Sequence, residues 1–141
     1  MNDINFRTQR KIIKIGNHLN NARDAYLCRK DLTSVQSDTL LFYHRNQGKS
    51  ITDLKNHLQV THQAARKLVE KLKMKGYLNV VSSQKDARMA EVSLTDKGLE
   101  ICTRLINDGT RTAIDLLNGF SMTEKETLLS FLMRVEENIN Y

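Results

Sequence analysis

The 141-residue sequence predicts a mainly α-helical chain with one small two-stranded β element. Three observations carry this expectation. Apolar residues recur at helical spacing along most of the chain, two short helical patterns in its middle meet at a tight turn, and two β-prone runs follow them. The absence of proline and a count of six glycines fit a largely helical chain.

The stretch from Ser50 to Thr95 organises the rest. Ser50 is a good N-cap, with Asp53 three residues on as its reciprocal partner, and Ile51, Leu54 and Leu58 mark an apolar stripe. A second start signal stands at Thr61, after which Ala65, Leu68, Val69 and Leu72 repeat at i, i+3, i+4, i+7. That helix should stop at Gly76. The runs Tyr77–Val81 and Met89–Leu94 then read as strands, the second with Ala90, Val92 and Leu94 alternating with Glu91 and Ser93. Between them the segment 82–88 is too polar to pack. Two helices, a turn and a β hairpin with a basic tip describe a winged helix-turn-helix.

At 100° per residue, the face opposite the Ala65–Leu72 stripe carries Gln63, Arg66, Lys67 and Glu70, with His62 beside them. Arginine and lysine can donate to guanine O6 and N7, and glutamine can pair with adenine N6 and N7, so this face has the chemistry of base reading in a major groove. A solvated helix face would carry the same residue types. At the hairpin tip, Lys85 and Arg88 stand where a narrow minor groove would attract a cation, and Asp86 can orient the Arg88 guanidinium.

The flanking segments read as long helices. From about Asn5 to Cys28, Ile12, Ile15, Leu19, Ala22 and Tyr26 form a narrow seam of coiled-coil type, beside a solvated crowd of Arg7, Arg10, Lys11 and Lys14. Thr33 and Gln36 form a capping box for a helix anchored by Val35, Leu40, Leu41 and Tyr43 and ended by Asn46, Gln47 and Gly48. Thr95 caps a helix expected to run to Asn118–Gly119, roughly 35 Å at 1.5 Å per residue, with Gly109 a bend or a close approach within it. Thr123 and Glu126 are expected to box the start of the last helix, where Leu128, Leu132, Val135 and Ile139 repeat.

Length bounds the chain to one domain, 1–141, with helical segments 1–30 and 96–141 around a lobe at 33–95. The net charge of +6 is unevenly spread. Residues 49–88 carry 9 basic and 3 acidic side chains, whereas residues 89–141 carry 5 and 9. Positive charge thus concentrates where phosphates would be neutralised. There is no apolar run of membrane-span length and no signal-peptide core, so a cytoplasmic location is expected. Cys28 and Cys102 lie 74 positions apart and make no ligand pair with the histidines, so neither metal nor cofactor is expected. Nucleophile elbow, glycine-rich phosphate loop and metal-spaced acid cluster are all missing, which argues against an enzyme.

Asp86-Ala87-Arg88 followed by Leu94-Thr95-Asp96-Lys97-Gly98, with Leu32-Thr33-Ser34-Val35-Gln36 upstream, resembles the MarR (multiple-antibiotic-resistance regulator) family of bacterial transcription factors. The hallmarks are Asp-x-Arg in the wing, Leu-Thr-x-x-Gly after it, and Leu-Thr-x-x-Gln before the helix-turn-helix. With the long terminal helices, the resemblance covers essentially the whole chain. It implies a winged helix-turn-helix with N- and C-terminal dimerisation helices, a homodimer that represses from a pseudo-palindromic stretch of double-stranded DNA.

On that reading Gln63, Arg66 and Lys67, with His62, choose bases, Thr61 and the amides of the helix start hold phosphate, and Arg88, Lys85 and Asp86 serve the minor groove. Many members carry arginine before the wing turn and a basic residue at the x of Asp-x-Arg. This chain has Val80, Val81 and Ala87 there, so the resemblance implies fewer phosphate contacts. The resemblance also implies a small aromatic or anionic effector between the dimerisation helices and the DNA-binding lobe, near His18, Tyr26, Arg29, Tyr43 and His44. Two rival readings stand beside this one. The winged helix could be a protein interaction module without specific DNA binding, or Cys28 could make the chain a redox-sensing regulator.

Overall fold

The computed structural model describes residues 3–82 and 90–139. The order of elements is α1 (Ile4–Arg29), α2 (Ser34–Arg45), α3 (Ile51–Leu58), α4 (His62–Met74), β1 (Leu78–Ser82), β2 (Ala90–Leu94), α5 (Asp96–Leu116) and α6 (Met122–Glu137). It is the mainly helical fold with a small β wing that the sequence predicts. The chain divides into two compact units, residues 1–102 and 103–141.

In the first unit, local capping chemistry sets the helix starts. Thr33 and Gln36 close a reciprocal box at the head of α2, and Ser50 and Asp53 do the same for α3. Thr61 accepts from the Ala64 amide at 3.1 Å and so opens α4. The α3–α4 turn is made by Gln59 in the left-handed region, φ 55°. Asp31, also at φ 55°, turns the chain between α1 and α2, and the Leu32 amide donates back to the Leu27 carbonyl at 3.0 Å.

The core gathers one or two residues from each element. Leu27, Leu40, Leu54, Val69, Leu72, Leu78 and Val92 are all at most 1% exposed. Burying an aliphatic side chain of this size stabilises by roughly 1.5–3 kcal/mol. On α2 the buried face is partly polar: Gln36, Ser37 and Thr39 lie inward with Leu40 and Tyr43, whereas Val35, expected as an anchor, is 37% exposed. The Thr39 hydroxyl donates to the Val35 carbonyl at 2.8 Å, which lets a threonine sit there without an unpaired group. Arg23 of α1 reaches α2 through Asp38 at 2.6 Å.

β1 and β2 pair antiparallel, with Leu78 opposite Leu94, Val80 opposite Val92 and Ser82 opposite Ala90. β1 starts one residue later than the sequence pattern suggested, and Met89, where the second strand was expected to begin, lies outside the described residues. The segment before α3 adds to the free edge of β2: the Gly48 amide donates to the Val92 carbonyl at 3.1 Å and the Val92 amide to the Lys49 carbonyl at 3.0 Å. The wing is thereby fixed to the start of α3.

In the second unit, α6 begins earlier than expected. Ser121 is its N-cap, accepting from the Glu124 amide at 3.1 Å. Thr123 falls inside the first turn, and its carbonyl accepts from the Thr127 hydroxyl at 2.8 Å. Both Ser121 and Thr123 have glutamate three residues on, and the earlier register adds residues to the helix. α5 ends at Leu116, short of the expected 118–119. Leu129, Phe131, Leu132, Met133 and Val135 of α6 are all exposed. Among the described residues no helix is long and apolar enough to cross a membrane.

Candidate nucleic-acid interface

Helix α4 separates two kinds of side chain. Ala65, Val69 and Leu72 are wholly buried, while Thr61, His62, Gln63, Arg66, Lys67 and Glu70 are exposed. At 100° per residue Gln63, Arg66, Lys67 and Glu70 share a sector of about 100°, opposite the buried stripe. The helix is therefore held from one side and offers donors and acceptors on the other. The Thr61 hydroxyl oxygen is engaged in capping, with the exposed start of the helix and its outward amides beside it.

The same sector contains Met74, 86% exposed in the last turn, which the sequence reading passed over. Its azimuth was the available signal: eleven residues beyond Gln63, it returns to within about 20° of it. A thioether stem at that place suits apolar contact with a thymine methyl. Exposed Lys71 and Lys73 flank the sector and add positive charge.

Both ends of α4 are fixed from outside the helix. Before it, the Val60 amide donates to the Lys55 carbonyl at 3.3 Å across the left-handed turn. After it, the Tyr77 amide donates to the Leu72 carbonyl at 2.9 Å and the Thr95 amide to the Tyr77 carbonyl at 3.0 Å. Lys97 donates to the Lys75 carbonyl at 2.8 Å, its ammonium 4.9 Å from the Tyr77 ring centroid. The described strands end at Ser82 and Ala90; Lys85, Asp86 and Arg88 lie outside the described residues.

The five residues expected around an effector are dispersed over α1 and α2 in differing surroundings. His18 is exposed and lines an open groove of about 370 Å³ on α1 with Arg10, Ile13, Lys14, Asn17 and Asn21. The other four do not line it. The Lys30 ammonium lies 5.1 Å from the centroid of the Tyr26 ring, Arg29 is exposed in the last turn of α1, and His44 is half-buried. Tyr43 is fully buried, and its hydroxyl donates to the Ser50 carbonyl at 3.0 Å, so it belongs to the core rather than to an open wall. Burial, and then the Asp53 charge, raise the Tyr43 hydroxyl above its ordinary pKa.

Cys28 is exposed, whereas Cys102 is buried with its Sγ 3.6 Å from the Leu40 carbonyl oxygen. Burial pushes the Cys102 thiol up to about 11. Among the described residues no group of His, Cys, Asp and Glu is arranged to hold a metal ion.

Comparison with known proteins finds relatives that share this geometry. A model of the MarR family matches residues 30–89, from the end of α1 into the wing. An HTH-type transcriptional regulator of Bacillus subtilis, YybA, is 28% identical over 109 residues, 77% of this chain and 73% of its own length. A MarR protein from Peptoclostridium difficile superposes with a TM-score of 0.79 at 22% identity, covering 99% of this chain and 91% of that one. Streptococcus pneumoniae FabT, crystallised in complex with DNA, does so with a TM-score of 0.86 at 20% identity, covering 94% of this chain and 95% of its own. The chain is thus similar to MarR-family regulators in sequence through its helix-turn-helix, and it shares its fold with MarR-family structures along nearly its whole length.

Proposed function

We propose that this chain is a homodimeric, cytoplasmic repressor that reads a pseudo-palindromic operator and is released from it by a small aromatic or anionic effector. The observation that carries the DNA-reading part is helix α4, with Gln63, Arg66 and Lys67 exposed on the side opposite three wholly buried residues. Residues 33–95 form the DNA-binding lobe in this reading. FabT, which shares the fold, was crystallised on DNA.

In the complex, Gln63, Arg66 and Lys67 select bases in the major groove with His62 at the rim, and the start of α4 at Thr61 holds a phosphate. Arg88 with Lys85 and Asp86 serves the flanking minor groove, as the family resemblance implies.

The dimer is supported by apolar side chains that the single chain leaves exposed. Ile12, Ile15 and Leu19 on α1 are each about two-fifths exposed, and Leu129, Phe131 and Val135 on α6 are exposed as well. A second copy would cover them, with 1–30 and 96–141 as dimerisation segments, and would set two recognition helices about one DNA turn apart. The effector would lodge beside His18, Tyr26, Arg29 and His44, with Tyr43 holding the α2–α3 step behind them, and would bias the spacing of the two reading heads.

The test is fluorescence anisotropy of the full chain on duplexes tiling its own upstream region, at two salt concentrations, with Arg66→Ala and Arg88→Ala alongside. One preferred pseudo-palindromic duplex, a steep loss of affinity with salt and clear weakening by both substitutions is the expected result. Equal, weak binding to every duplex, unchanged by either substitution, would replace this reading with that of a protein interaction module.

A further inference from the structure

Four lysines lie on or just after the recognition helix from its middle onward: Lys67, Lys71, Lys73 and Lys75. The first three are exposed, while the fourth is half-buried and turned away from the reading face. Lys75 lies about 120° around the helix from Gln63, close to the azimuth of Leu68 on the packed side. Its ammonium is spent within the protein: it donates to the Asp31 carbonyl and, at 3.4 Å, to the Gln36 side-chain oxygen, with the Asp31 carboxylate at 3.5 Å.

Those partners tie together separate parts of the lobe. Asp31 is the left-handed residue of the α1–α2 turn. Gln36 is buried, and its oxygen also accepts from the Thr33 amide at 3.2 Å as part of the α2 capping box. From the other side, Lys97 at the start of α5 donates to the Lys75 carbonyl at 2.8 Å. One residue at the C-terminal cap of α4 thus joins the turn after α1, the start of α2 and the start of α5.

We propose that Lys75 is a positioning residue for DNA reading: it locks the C-terminal end of the recognition helix to the α1–α2 turn, so that a displacement of α1 is delivered to α4. This rests on the DNA-reading proposal above and adds to it the joint through which the helix is aimed. The chemistry suits the task. An ammonium has three donors and a flexible stem, so it can satisfy a carbonyl, an amide oxygen and a carboxylate at once. Three converging acceptors fix its direction better than a single surface ion pair does.

A phosphate contact and a positioning contact differ in their salt dependence. Losing a phosphate-binding lysine lowers the slope of log K against log salt by about one and weakens binding alike on all sequences. Losing a residue that aims the helix leaves that slope unchanged and erodes the preference for the correct duplex. The test compares wild type, Lys75→Met, Lys75→Arg and Lys67→Met on the preferred upstream duplex and a scrambled one across a salt series. Amide hydrogen exchange of the DNA-free protein is measured in parallel.

Lys75→Met should lose about tenfold on the preferred duplex with little change on the scrambled one and an unaltered salt slope, and Lys75→Arg should recover most of the loss. Without DNA, Lys75→Met should exchange faster at the Leu32 and Tyr77 amides. A slope lowered by one, with equal weakening on both duplexes, would make Lys75 a phosphate contact. Unchanged affinity and unchanged exchange would reduce it to a surface ion pair. If wild type itself prefers no duplex, the DNA-reading proposal fails, and faster exchange at Leu32 and Tyr77 alone then decides whether the joint exists.

Discussion

The Tyr43 hydroxyl donates a 3.0 Å hydrogen bond to the carbonyl of Ser50, the residue whose side chain caps α3 and whose backbone bridges to Glu91 of the wing. A single buried phenol therefore joins α2, the first helix of the helix-turn-helix, and the edge of the sheet. The Ser50 carbonyl also accepts from the Leu54 amide at 3.2 Å, so it keeps one partner when the phenol is removed. Tyr43→Phe should cost about 1 kcal/mol, the net worth of one hydrogen bond, whereas Tyr43→Ala should cost about 3–5 kcal/mol through the cavity it leaves. Urea unfolding midpoints check both, and a Tyr43→Phe variant as stable as wild type would deny the bond any structural role.

Two glycines of α5 should respond to alanine in opposite directions. A Cβ at Gly98 would lie 2.2 Å from the Tyr77 carbonyl oxygen, a backbone atom held in place by the Thr95 amide. Gly98→Ala must push the start of α5 away from the wing, at a cost of about 3 kcal/mol. A Cβ at Gly109 would meet nothing within 4 Å among the described residues. Gly109→Ala should raise stability by about 1 kcal/mol, the helix-propensity difference. Thermal melts separate the two, and a loss of stability in Gly109→Ala would place a second copy's backbone against that glycine.

The parts of this architecture that local chemistry dictates were legible in the sequence. Thr33 with Gln36 and Ser50 with Asp53 are complete within four residues, and the Ala65–Leu72 stripe defines the reading face by helix geometry alone. Where two local solutions compete, the sequence does not choose between them, as with Ser121 and Thr123 at the head of α6. Contacts made across the chain were not legible at all. Lys75 with Asp31, Arg23 with Asp38 and Tyr43 with Ser50 depend on how elements meet, and the polar buried face of α2 depends on bonds that hide Gln36 and Thr39 from water. Tyr43 as an effector residue was an inference from its place in the sequence; the geometry puts it in the core.

The two thiols should behave as different reagents. Cys28 is exposed, while Cys102 is buried and its thiol is held up to about 11 by desolvation. At pH 8 an aromatic disulfide reagent should modify Cys28 in the native protein and reach Cys102 only on unfolding. The burial also sets a pH dependence. An unfolded thiol ionises near 9.0 and the folded one near 11, so between these values the unfolded chain binds fewer protons and stability falls as pH rises. Cys102→Ala should flatten that part of the profile. Equal modification rates for both cysteines in the native protein would contradict the burial.

The acid side of the profile should report Asp53. Its carboxylate accepts from the Ser50 amide at 2.9 Å and the Ser50 hydroxyl at 3.0 Å, and the amide bond is the chief cause of a pKa below the ordinary 3.8. Desolvation, the second-largest effect, opposes it, while the hydroxyl bond and the Lys49 charge act with the amide bond. Because the folded state holds the ionised form more tightly, this group contributes stability that is fully present above about pH 4 and is lost as pH falls through the lowered value. Asp53→Asn keeps an acceptor but removes the charge, so its difference from wild type should be largest near pH 7 and shrink below pH 4. Since α3 carries the turn that starts the recognition helix, the variant should also weaken binding to the preferred duplex near neutral pH. Melting temperatures of the two proteins from pH 3 to 7 decide the matter: parallel curves with a constant offset would mean that the Asp53 charge contributes nothing to the cap.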